Sequence, residues 1–126
     1  MQISRIDHLV LTVKDIRTTV QFYEAVLGMR SETFGAGRMA LRFGQQKINL
    51  HQYGSEFEPK ADTPLPGSQD LCFITETALP GAMEHVQKLG IDILEGPVTR
   101  TGATGTIESF YFRDPDLNLI EVAVYS

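Results

Sequence analysis

A chain of 126 residues, 42% apolar and 21% charged, is long enough to bury one ordinary hydrophobic core and to fold alone. Its formal charge of −5, with no basic cluster anywhere, excludes a duplex nucleic-acid footprint. No apolar run approaches the roughly 18 residues of a membrane span, the amino terminus has no basic-then-apolar leader, and the expected location is the cytoplasm.

Residues 6–13, IDHLVLTV, read as a strand that begins with an ionisable pair, Asp7 and His8. DIRTTVQFYEAVLG follows as a helix, with Asp15 as N-cap, an apolar stripe of Ile16, Val20, Tyr23 and Leu27, and Gly28 as its stop. MRSETF, RMALRF and KINLHQY are three short strands separated by the turns GAG and GQQ. A polar, Pro-rich connection, GSEFEPKADTPLPGSQ, leads to a second series in the same order. DLCFIT is a strand, and LPGAMEHVQKLG is a helix with Leu79, Met83, Val86 and Leu89 on one side and Gly90 at its end. IDILEG, ESFYFRD and LIEVAVY complete the series as strands, with the Gly-containing TGATG a flexible loop before the second of them. The chain is thus an internal duplication of a βαβββ unit of about 55–60 residues.

Period-two alternation sorts each strand into an apolar face for the helices and a face that holds the ionisable groups. Leu9, Leu11 and Val13 oppose His8, Val10 and Thr12; Phe110 and Phe112 oppose Ser109, Tyr111 and Arg113; Ile120, Val122 and Val124 oppose Glu121, Ala123 and Tyr125. The duplication aligns His8 with Asp70 and Asn49 with Glu121, and His51 shares the face of Asn49. His8, His51, Asp70 and Glu121 on one sheet surface form a nitrogen and oxygen donor set suited to Zn²⁺, Ni²⁺, Mn²⁺ or Fe²⁺. An internal hydrogen-bond network without a metal is the competing reading. The single cysteine, Cys72, sits in the apolar run LCFIT and reads as a small core residue.

The motifs IDHLVLTVKDIRTTVQFYEAVLGMR and FYFRDPDLNLIEV, with the EFEPKA…PLPGS connection, resemble the vicinal oxygen chelate superfamily. This superfamily holds glyoxalase I, fosfomycin- and bleomycin-resistance proteins and extradiol dioxygenases, and the resemblance is greatest to glyoxalase domain-containing protein 5-like members. It implies one α+β domain over 1–126, with modules 5–53 and 70–125 curling into an open, barrel-like mixed sheet with flanking helices. By position it implies His8 and Glu121 as metal ligands. The fourth-strand ligand falls on Asn49, a poor ligand for which His51 is the substitute, and the fifth-strand ligand, usually His, falls on Asp70.

The activity implied is that of a metal-dependent lyase or isomerase of the glyoxalase type, with glutathione as co-substrate, Asp70 and Glu121 as catalytic carboxylates, and a small substrate with vicinal oxygens. An extradiol dioxygenase using His8, His51 and Glu121, a thiol transferase, and a non-catalytic ligand-sequestering protein are the alternatives. Tyr111 matches the substrate-contacting Tyr of the fosfomycin thiol transferases, but Val10 stands where those enzymes have Thr. Ser109, Tyr53, Arg42 and Arg113 are further candidate substrate contacts, the two arginines for a carboxylate or phosphate. Exposed sheet edges and the habits of the family point to a homodimer.

Overall fold

The computed structural model describes all residues, 1–126, in ten elements. These are β1 (His8–Val13), α1 (Ile16–Leu27), β2 (Arg30–Phe34), β3 (Arg38–Phe43), β4 (Gln46–Gln52), β5 (Asp70–Ile74), α2 (Leu79–Lys88), β6 (Glu95–Thr101), β7 (Thr106–Arg113) and β8 (Leu119–Tyr125). They fall into two compact units, Met1–Gly67 and Ser68–Ser126, each a βαβββ module of the expected α+β class. Each module carries its own four-stranded mixed sheet, in the order β1-β4-β3-β2 or β5-β8-β7-β6, and neither closes into a barrel.

In the first module Asp15 caps α1 by accepting from the Thr18 amide at 3.0 Å, and Gly28 ends it at φ 65, where a side chain would be strained. The buried stripe of α1 is Thr19, Tyr23 and Val26. The helix-side core of the sheet is Leu11, Val13, Leu41, Ile48 and Leu50, each at most 1% exposed. β1 runs parallel to β4 and places His8 beside Lys47, Val10 beside Asn49 and Thr12 beside His51.

The second module repeats this register. β5 runs parallel to β8, with Asp70 beside Leu119 and Cys72 beside Glu121. His8 and Asp70 thus each pair with the residue two positions before Asn49 and Glu121 respectively, so the duplication holds to the residue. Phe110, Phe112, Ile120 and Val122 make the apolar side, with the two phenyl rings 5.8 Å apart.

Three local expectations are corrected. The sixth strand is not IDILEG but starts at Glu95 and runs to Thr101. Its pairing with β7 shifts register between Glu95 and Val98, because Pro97 has no amide to donate and Gly96 bulges. Leu89 is the exposed C-cap of α2 and not part of its apolar face. TGATG is a tight hairpin end, with the Gly102 amide donating to Gly105 at 2.7 Å and the Thr104 amide to the Tyr125 hydroxyl at 3.3 Å.

Candidate functional site

The polar face of the first module is built by β1, β4 and β3, whose alternation turns His8, Asn49, His51, Arg38 and Arg42 away from the helix-side core. His8 stands at the start of β1 with its Nδ1 2.8 Å from Asp7 Oδ2. A carboxylate only accepts, so Nδ1 is the donor in this bond and Nε2 is the ring nitrogen left for another partner. The hydrogen bond to His8 is also the main reason the Asp7 carboxyl lies below its ordinary range. This answers why an ionisable pair opens a core strand: Asp7, which sequence reasoning left out of the site, orients the imidazole. Their adjacency was the signal.

Two residues along this face from the Lys47 register, Asn49 is 5% exposed and its Oδ1 has no hydrogen-bond partner. His8 and Asn49 are therefore diagonal neighbours across β1 and β4, about 7–8 Å apart. His51 lies four residues beyond the His8 register, about 13 Å along the strands. The structure does not bring the two histidines together. His51 Nε2 instead accepts from Arg38 at 3.3 Å, and its ring meets Phe57 edge-on at 5.7 Å. Arg42 donates to Glu32 at 2.7 Å in an exposed ion pair, and Tyr53 is exposed just past the end of β4.

Burial and then the Arg38 charge push the His51 pKa below its ordinary 6.5. A depressed imidazole is protonated more readily in the unfolded chain, so stability is lost as pH falls below about 6.5 towards the folded value. The expected result is that denaturant midpoints of wild type fall as pH drops below about 6.5, ahead of the carboxylate range, and that His51→Gln flattens this step. An unchanged slope in the variant contradicts the assignment.

In the second module Glu121 sits opposite Tyr111 on β7 and beside Cys72 on β5. Ser109, fully buried, donates its hydroxyl to Glu121 Oε2 at 2.6 Å. Burial, and next the charge of Glu121, push the Cys72 thiol up to about 11, which suppresses the thiolate. Cys72 is not the core residue expected; it is exposed on an edge strand, on the face of Asp70 and Glu121. Tyr111 is likewise raised, chiefly by burial, while Arg100 opposes the shift by donating to its hydroxyl at 3.0 Å. Arg100 also reaches Glu95 at 3.2 Å, and neither residue was singled out from sequence. A cleft of about 400 Å³ opens here, walled by Ile74, Ile107 and Tyr125, with Arg100, Tyr111 and Glu121 as polar groups. Asp70 is at the exposed start of β5, diagonal to Glu121. Arg113 points its guanidinium at the Leu117 carbonyl, 3.4 Å away.

Each module so contributes one pair of positions, His8 with Asn49 and Asp70 with Glu121. No three His, Cys, Asp or Glu side chains gather as a ready metal cage. In kind, the oriented imidazole of the first module and the two carboxylates of the second are groups that bind divalent ions.

A family profile described as the Glyoxalase/Bleomycin resistance protein/Dioxygenase superfamily matches residues 5–122. The chain is similar to virulence protein STM3117 of Salmonella typhimurium, 62% identical over 99% of this chain and 87% of that protein. It is similar to the glyoxalase domain-containing protein RDO1 of Mycosarcoma maydis, 55% identical over 99% of this chain and 70% of that one. Among solved structures, an integron cassette protein from the mobile metagenome of V. cholerae superposes with a TM-score of 0.98 at 67% identity, over 100% of this chain and 98% of that one.

Proposed function

The chain belongs to the glyoxalase/bleomycin resistance protein/dioxygenase superfamily, and from that premise we propose that it is a metal-dependent lyase or isomerase of the glyoxalase type. The observation that carries this reading is the Asp7–His8 pair at 2.8 Å, the arrangement that orients an imidazole for a metal. His8 in the first module and Glu121 in the second are the residues that would bind a divalent ion, and Asp70 stays outside the ligand set. His51 is given over to Arg38. When bound, a divalent Zn, Ni, Mn or Fe ion withdraws charge from two neighbouring substrate oxygens as a Lewis acid.

The residues around the ion carry the rest. Ser109 holds the Glu121 carboxylate from below through its hydroxyl, and Tyr111 lines the cleft beside Glu121. Asp70, at the solvent edge of the same face, is the group free to accept a substrate proton. Arg100 brings positive charge beside Tyr111 for a polar substrate such as a glutathione adduct. Open edges at β1, β2, β5 and β6 support a homodimer.

The test is turnover of a glutathione hemithioacetal of an α-oxoaldehyde. Activity should vanish with EDTA, return with a divalent ion, and fall about 100-fold or more in His8→Ala. Turnover indifferent to EDTA, cleavage of a catechol instead, or tight ligand binding with no turnover would overturn the reading.

A further inference from the structure

We propose that the polar face of the first module is a subsite for a small hydroxycarboxylate, with Arg38 receiving the carboxylate and Asn49 the hydroxyl. Two buried side-chain polar atoms of the chain lack a hydrogen-bond partner, Arg38 Nε and Asn49 Oδ1. Buried polar groups are almost always paired, so an orphan donor and an orphan acceptor on one face call for a ligand that offers the converse of each. They share that face because Ala40 pairs with Asn49 and Met39 with Leu50, which puts Arg38 opposite His51 and diagonal to Asn49.

Arg38 is set in advance. Its guanidinium lies 5.1 Å from the Phe34 ring and 4.9 Å from the Phe57 ring, and one terminal nitrogen donates to His51 Nε2 at 3.3 Å. The ring nitrogen takes that bond as an acceptor, so the guanidinium charge is left uncancelled. The planar fork is thus held by two rings and an acceptor, the condition under which arginine selects a planar carboxylate. Positive charge leads on this face: Arg30, Arg38, Arg42 and Lys47 stand against Glu32, taken by Arg42, Asp7, taken by His8, and Glu56, which accepts from the Gly54 amide.

Asn49 narrows the class. Its Oδ1 is an acceptor and repels a bare anion, so the ligand needs a donor beside its carboxylate, which a hydroxyl on the neighbouring carbon supplies. The inference takes the same face as the proposed enzyme function but needs no ion, so the failure of one is visible apart from the failure of the other.

The experiment is a titration of the ¹⁵N-labelled full chain in EDTA, following the β3 and β4 amides, with glycolate, glycolamide, acetate and inorganic phosphate. Glycolate should bind best, acetate about 3–10-fold more weakly for want of the hydroxyl, and glycolamide at least about 10-fold more weakly for want of the charge. Asn49→Leu should erase the difference between glycolate and acetate. Arg38→Met should abolish glycolate binding, and Arg38→Lys, which keeps charge and loses the fork, should weaken it clearly even if the Met variant does not fold. Equal binding of glycolate and glycolamide, phosphate binding as tightly as glycolate, no response to glycolate, or unchanged glycolate affinity in Arg38→Lys each overturns the proposal.

Discussion

Replacing Asp114 by Ala is expected to lower the free energy of unfolding by about 3–5 kcal/mol, because one carboxylate satisfies three buried donors. Asp114 Oδ1 accepts from the Asp116 and Asn118 amides, both at 2.9 Å, and Oδ2 accepts from Asn118 Nδ2 at 2.8 Å. Asp114 is 4% exposed and Asn118 fully buried, so water cannot replace the lost acceptor. The consequence reaches the site. Asn118 Oδ1 accepts from the Gln69 amide at 2.9 Å, and the Leu119 amide returns a bond to Gln69. This clamp registers β5 on β8 and so sets Asp70 and Cys72 against Glu121. Asp114→Asn keeps one carbonyl oxygen for the two amides and should cost only about 1–2 kcal/mol. Denaturant unfolding of the two variants checks this, and equal losses would mean the clamp depends on charge and not on acceptor count.

Gly96→Ala should be of similar size, about 3–5 kcal/mol, for a different reason. Gly96 has φ 135, and a methyl there would lie 2.5 Å from Phe110 Cβ, 2.7 Å from Phe110 Cα and 2.9 Å from the Ser109 carbonyl oxygen. Two of those atoms are backbone and the third is bonded to it, all in the fully buried Ser109 and Phe110, so neither side can yield without lifting β6 off β7. The movement would carry Arg100 from Tyr111 and disturb Ser109 below Glu121. Gly44→Ala is the control: φ is 50 but nothing lies within 4 Å, so only the backbone penalty of about 1–2 kcal/mol applies. Similar denaturant midpoints for the two variants would show that the close approach at Gly96 is relieved at little cost.

What was legible in the sequence follows from periodicity. Alternation in HLVLTV, FYF and LIEVAV separated the core from the polar face, and the repeat itself aligned His8 with Asp70 and Asn49 with Glu121 in the register the sheets adopt. The rest depends on side-chain choices that alternation does not carry. His51 and His8 share a face, but strand rise places them four residues apart, and the partner that claims His51 is an arginine from a strand paired with β4. Cys72 looked apolar because its neighbours are, while its own turn in the alternation faces Glu121. The sixth strand was misplaced because Gly96-Pro97 reads as a breaker, when the sheet absorbs both residues as a bulge. Arg38 gave no signal at all, since its meaning comes from Phe34 beside it and Phe57 from the connection beyond β4.

The metal-site reading requires that His8 and Glu121 each be a ligand of a divalent ion. It is tested most directly by elemental analysis, after Mn²⁺ or Zn²⁺ loading and dialysis, of wild type, His8→Ala and Glu121→Gln. Wild type should retain bound ion and each variant clearly less, with each variant matching wild type in denaturant midpoint when both are metal-free. Equal metal content in all three proteins, or full retention by Glu121→Gln, where a neutral amide has replaced the carboxylate, would contradict it.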